Sequence, residues 1–128
     1  MKKLLIVAMM FLGTSVLASA PAFAQTDTDQ RLASPAMCSM LPTVQSLREC
    51  VLHAREIGAI KSAGVTRSLL IELDVAQSAL DRGRPRVAIA LLHAFVREVD
   101  ALAGKQIMQP HADHLVMHAK MVIQALGG

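Results

Sequence analysis

Leu80-Asp81-Arg82-Gly83-Arg84-Pro85-Arg86-Val87-Ala88 puts a helix stop and a helix start into one short turn. Glycine takes the left-handed backbone that closes a helix, and proline, which has no N–H to leave unpaired, suits the first turn of the next. Upstream, Leu69, Leu70, Leu73, Ala76 and Leu80 recur at three- and four-residue intervals, the period of an amphipathic helix. This predicts a helix from an N-cap near Thr66 to Arg82. Downstream, Ala88, Leu91, Leu92, Phe95, Val99 and Leu102 keep the period until Gly104, while Val87, Ile89 and Val96 widen the apolar arc. The segment reads as the central, mostly buried helix, with a narrow polar line of Arg86, His93, Arg97 and Asp100. Two helices joined by so short a turn must lie antiparallel.

The same punctuation extends to both sides. Pro42 and Thr43 precede Val44, Leu47, Val51 and Ala54 at helical spacing, with Gly58 just past the end and a loop through Ile60 to Gly64. A last helix begins near Pro110 and carries Ala112, Leu115, Ala119, Val122, Ile123 and Leu126 on its apolar face. Nothing alternates with period two, so no strand is expected. The fold class is all-α, a small four-helix bundle over residues 37–128.

The N-terminus argues for export. Lys2 and Lys3 precede an apolar run from Leu4 to Leu12, and Ala18-Ser19-Ala20-Pro21-Ala22-Phe23-Ala24 follows with small residues at Ala22 and Ala24. Residues 1–24 therefore read as a signal peptide cut between Ala24 and Gln25. The run is shorter than the roughly 20 residues that span a bilayer, so no stable membrane insertion is expected after cleavage. Residues 25–36 are polar, Thr/Asp-rich and aperiodic, and read as a disordered lead-in. The expected location is periplasmic or extracellular.

Removing the leader changes the composition. The chain's 13 Lys and Arg include Lys2 and Lys3, so 11 remain against 10 Asp and Glu, a net of +1. No basic excess is left to suggest nucleic acid as a partner. Phe11 and Phe23 also leave, so Phe95 is the one aromatic residue of the mature protein, and stacking platforms for bases or sugars are absent. About 100 residues suffice for one core. Cys38 and Cys50 remain, and export would put them where thiols are oxidised, so one disulfide is expected. Closing that short loop would stabilise by about 3 kcal/mol and pin the arm before the first helix. The alternative is two unpaired cysteines, with Cys50 simply buried.

Gly58-x-Ile60-x-x-Ala63-Gly64, then Ser68-Leu69-Leu70-x-x-Leu73-Asp74-x-Ala76, resemble the opening of the FIMAH domain, and Ala79-Leu80-Asp81-Arg82-Gly83 resembles its helix end. Leu92-x-Ala94-Phe95-Val96-x-x-Val99 and Gly104-Lys105-x-Ile107 resemble its central helix and following turn. The resemblance runs from Gly58 to Leu126. It implies a helical module of secreted bacterial proteins, accessory or interacting in role, and carries over no catalytic or cofactor residue. Met108 departs from it, standing where a polar capping residue belongs.

Three histidines offer the one cluster with chemistry. His111, His114 and His118 lie three and four residues apart, so on a helix their rings project to one side. Imidazoles so spaced can share Zn²⁺ or Cu²⁺, with Asp113, Met117 or Met121 nearby. The plainer reading is a solvated helix edge flanking the apolar face, with no metal. His53 and His93, each alone on its helix, read as boundary residues. Ser46, Ser62 and Ser68 have no adjacent His or oxyanion loop, and Glu72 and Asp74 point to different helix faces, so no catalytic residue is assigned. Arg82, Arg84 and Arg86 read as a solvated turn. The expectation is a non-catalytic monomer without cofactor that binds an unidentified protein partner. Its alternative is a small periplasmic metal-binding protein using His111, His114 and His118.

Overall fold

The computed structural model describes residues 38–128; the expected signal peptide, its cut at Ala24 and Gln25, and the lead-in lie outside the described residues. Four helices follow in order, α1 Val44–Glu56, α2 Ala63–Asp81, α3 Pro85–Leu102 and α4 Gln109–Ala125. α1 starts where expected because the Thr43 side chain accepts from the Ser46 N–H at 3.1 Å, a cap that contributes about 1 kcal/mol. Gly58, at φ 79°, takes the chain out of that helix.

α2 begins earlier than the sequence suggested. Ser62, in extended conformation, caps it by accepting from the N–H groups of Gly64 and Val65. Thr66, expected as the cap, is instead inside the first turn and buried, its hydroxyl donating back to the Ser62 carbonyl at 3.1 Å. Gly64 had read as loop, but a glycine is tolerable in a first turn whose N–H groups are capped. At the other end Gly83, at φ 69°, lets its own N–H reach the Leu80 carbonyl and the Arg84 N–H reach Ala79. Pro85 then opens α3.

The helices form a closed ring in which α1 packs on α2 and α4, and α3 packs on α2 and α4. The core is continuous through Leu47, Val51, Leu69, Leu73, Leu92, Phe95, Val99, Leu115 and Val122. α3 is thus one wall of four and not a surrounded central helix. Its Val87 is 47% exposed, and Ile89, Leu91 and Leu102 are only half-buried. The wide apolar arc covers the flanks toward two neighbours. α2 differs in one more respect, burying Ala79 and leaving Leu70 and Leu80 half-buried.

One end of the ring is closed by the two links on that side. The Lys61 N–H donates to Gln106 and the Met108 N–H to Ala59, both at 2.9 Å, forming an antiparallel bridge between Ile60 and Ile107. Both isoleucines are fully buried and plug the end of the core. No strand is formed among the described residues, as the sequence implied. The bridge itself was hidden, because two isolated residues carry no alternation. Met108, the N-cap of α4, makes no side-chain cap bond, and its carbonyl instead accepts from His111 and Ala112.

Candidate functional site

The only cysteines among the described residues, Cys38 and Cys50, form a disulfide with Cα atoms 5.0 Å apart. Cys38 lies in the arm that precedes α1, and Cys50 lies two turns into α1, so the arm folds back along the helix. Three ties hold it there. The disulfide is one, the Ser46 hydroxyl donating to the Ser39 carbonyl is another, and the third comes from α4, where His118 Nε2 lies 2.7 Å from the Leu41 carbonyl oxygen.

That third tie fixes the chemistry of the ring. A carbonyl only accepts, so Nε2 carries a proton, and in the neutral ring it is Nδ1 that keeps the lone pair. Nδ1 lies 3.3 Å from Cys50 Sγ, and His118 is fully buried. One turn earlier, His114 Nε2 lies 3.4 Å from Cys38 Sγ. Each imidazole therefore faces one sulfur of the cystine. The two rings stand edge to face, centroids 6.4 Å apart. The ligand atoms of Cys38, Cys50 and His114 all lie within 4.8 Å of one another.

This arrangement departs from the sequence reading in two ways. His118 was expected at a solvated edge, yet it is buried, because the arm before α1 covers that side of α4 and supplies a carbonyl for its N–H. His114 and His118 each meet a cystine sulfur, but only His114 joins the group of mutually close ligand atoms; His118, which touches Cys50 alone, and His111, half-buried in the first turn of α4, are outside it. Burial, then the neighbouring His118 and His111, holds the His114 imidazolium below the usual histidine range. A neutral ring there keeps its lone pair available.

Other candidates resolve individually. Asp74 pairs with Arg48 of α1 at 2.7 Å on the surface, while Glu72 turns toward α3, so the two carboxylates do point to different faces. Glu72 Oε2 is buried without a hydrogen-bond partner. Burial, the charge of Glu98 and the hydrogen bond that a protonated carboxyl makes to Glu98 raise its pKa from 4.5 to about 7, with Arg97 opposing. Sequence reasoning missed this pair, since its members lie on different helices. Arg82, Arg84 and Arg86 are exposed, as expected of a solvated turn.

A second concave feature lies along α3 and α4. It is an open groove of about 710 Å³, lined by His93, Val116, Met117, Lys120, Met121 and Ile123 among others. Met117 is 53% exposed. On α4 Met117 and Met121, noted in the sequence only as neighbours of the histidines, fall one turn apart and share this surface.

No curated protein and no solved structure matches the chain. A family model does, that of the FIMAH domain, over residues 44–124. The match takes in α1, which the resemblance starting at Gly58 had left out, and nearly all of α4. Covering well over half of the sequence and all four helices, it shows that the chain belongs to the FIMAH domain family.

Proposed function

We propose that this protein is an exported, non-catalytic interaction module that binds another protein through the groove on α3 and α4. The observation that carries the reading is the methionine-lined groove itself, with Met117 left 53% exposed on a helix that buries Leu115, Ala119, Val122 and Ile123. Methionine is flexible and polarizable, which suits a surface that receives an apolar side chain from a partner. His93, Asp113 and Lys120 at the groove offer polar contacts of both charge signs for orientation.

Support for the non-catalytic part comes from how the serines are used. Ser46 is spent on the Ser39 carbonyl, and Ser62 caps α2, so each hydroxyl has a structural task. Export rests on the leader-like residues 1–24. No described helix is long and apolar enough to cross a membrane.

The test is a photo-crosslinking amino acid placed at Met117, and separately at Arg84, in the chain expressed in a bacterium that exports it. Met117 should give a discrete protein adduct that Arg84 does not, and Met121→Glu should abolish it. Equal labelling from both positions, or none from either, would contradict the reading. The N-terminus of the same exported material should be Gln25, and a pool retaining Met1 would contradict export.

A further inference from the structure

We propose that the Cys38–Cys50 disulfide is the closed form of a redox-gated metal site. On reduction, Cys38, Cys50 and His114, whose ligand atoms lie within 4.8 Å of one another, take up a zinc-class cation, and His118 Nδ1, 3.3 Å from Cys50 Sγ, closes in as the fourth ligand. Two sulfurs and two imidazole nitrogens are the donor set that Zn²⁺ takes in closed tetrahedral sites, with metal–sulfur bonds of about 2.3 Å and metal–nitrogen bonds of about 2.0 Å. Those lengths set the sulfur–nitrogen edge of the tetrahedron at about 3.5 Å. The His114–Cys38 and His118–Cys50 separations, 3.4 and 3.3 Å, already match that edge.

An independent observation points to a ligand. His118 is fully buried, and its Nδ1 lone pair faces a cystine sulfur, which has no hydrogen to donate. A buried acceptor left without a donor is costly, and a cation would satisfy it. The Leu41 carbonyl on Nε2 holds the ring in the tautomer and orientation that a metal-bound histidine needs. His114 contributes a second imidazole from one turn away on the same helix, its Nε2 3.4 Å from Cys38 Sγ.

The gating follows from the balance of the reaction. In the oxidised protein the two sulfurs are bonded to each other and cannot serve as thiolate ligands. A dithiol reductant supplies two electrons and two protons, breaking the S–S bond to give two thiols, and is itself converted to a disulfide. Zn²⁺ then displaces the two thiol protons to solvent and binds the thiolates. A disulfide oxidant takes the two electrons back and is itself reduced to two thiols with protons from solvent, which re-forms the Cys38–Cys50 bond and releases Zn²⁺.

The experiment titrates the purified protein with Zn²⁺ and Co²⁺, oxidised and after reduction by a non-chelating phosphine, while circular dichroism follows the helices. Reduced protein should bind one zinc per chain, about 100-fold or more tighter than oxidised protein. Its cobalt form should show the intense visible bands of a tetrahedral site and a sulfur-to-cobalt charge-transfer band. His114→Ala should weaken binding by about 10-fold or more with helical content retained, and His111→Ala should leave it unchanged. Zinc should also protect both thiols from alkylation, which reads the site even if a variant is less stable. Equal affinity of the two redox forms overturns the proposal, as does binding that survives Cys50→Ser but is lost in His111→Ala. That pattern would mean that zinc is held by the histidines of α4 without the cysteines.

Discussion

The seam between α2 and α3 and the seam between α1 and α4 are built on different principles. Where α2 meets α3, Leu69, Leu73 and Ala76 pack with Leu92, Phe95 and Val99 in an apolar wall, and the polar intrusion is the carboxylate pair Glu72 and Glu98. Where α1 meets α4, the core gives way to a cystine, two imidazoles and a backbone arm tied by hydrogen bonds. Apolar contact is proportional to area and indifferent to chemistry, so the first seam supplies stability. The second is directional, and it concentrates the groups that can bind a metal or change redox state.

If this division is right, the largest loss of stability comes from the apolar wall. Phe95 is fully buried and no second aromatic ring is available to fill its space. Phe95→Ala should cost about 3–5 kcal/mol in denaturant melts, a large part of the roughly 5–15 kcal/mol such a domain has. Replacing both cysteines by serine should cost about 3 kcal/mol, since a sequence separation of 12 closes only a short loop. A cost for the double serine variant above that of Phe95→Ala would reverse the assignment of the two seams.

A smaller effect comes from Glu72, and it depends on pH. Its pKa rises from 4.5 to about 7 in the folded protein, so the native state holds that proton more tightly than the unfolded chain does. Its contribution is therefore favourable at low pH and is lost as the pH climbs from 4.5 through 7. Glu72→Gln cannot ionise. Its melting midpoint should gain on that of the parent across this window and run parallel above it. A constant offset at all pH values would contradict the burial and Glu98 repulsion described. Smallest of all, Arg84→Ala on the exposed turn should change stability by less than about 0.5 kcal/mol.

The apolar wall was the part most legible in the sequence. Gly83 and Pro85 marked the turn, and Leu69, Leu73, Leu92, Phe95 and Val99 fell on the faces that their spacing implied, because helical period is a local property. The start of α2 was missed, since Ser62 and Thr66 are both competent caps and only the backbone decides between them. The burial of His118 was not legible from α4 alone, where it stands beside the apolar stripe. What buries it is the arm around Leu41, 77 residues away in the chain. The cysteine pair and the histidine pair were each visible in the sequence, but their meeting is a long-range fact of packing. Reading them together as two cysteines followed by a His-x-x-x-His was the signal that could have joined them.

Hydrogen exchange measured amide by amide on the oxidised protein, and again after reduction in the absence of metal, tests the division of labour most directly. The amides of Leu69, Leu73, Leu92 and Phe95 should stay protected, while those of Ser46, Leu47 and the first turns of α1 exchange faster once the arm is released. A uniform loss of protection across all four helices would contradict the account, showing that the cystine seam and the apolar wall are a single cooperative unit.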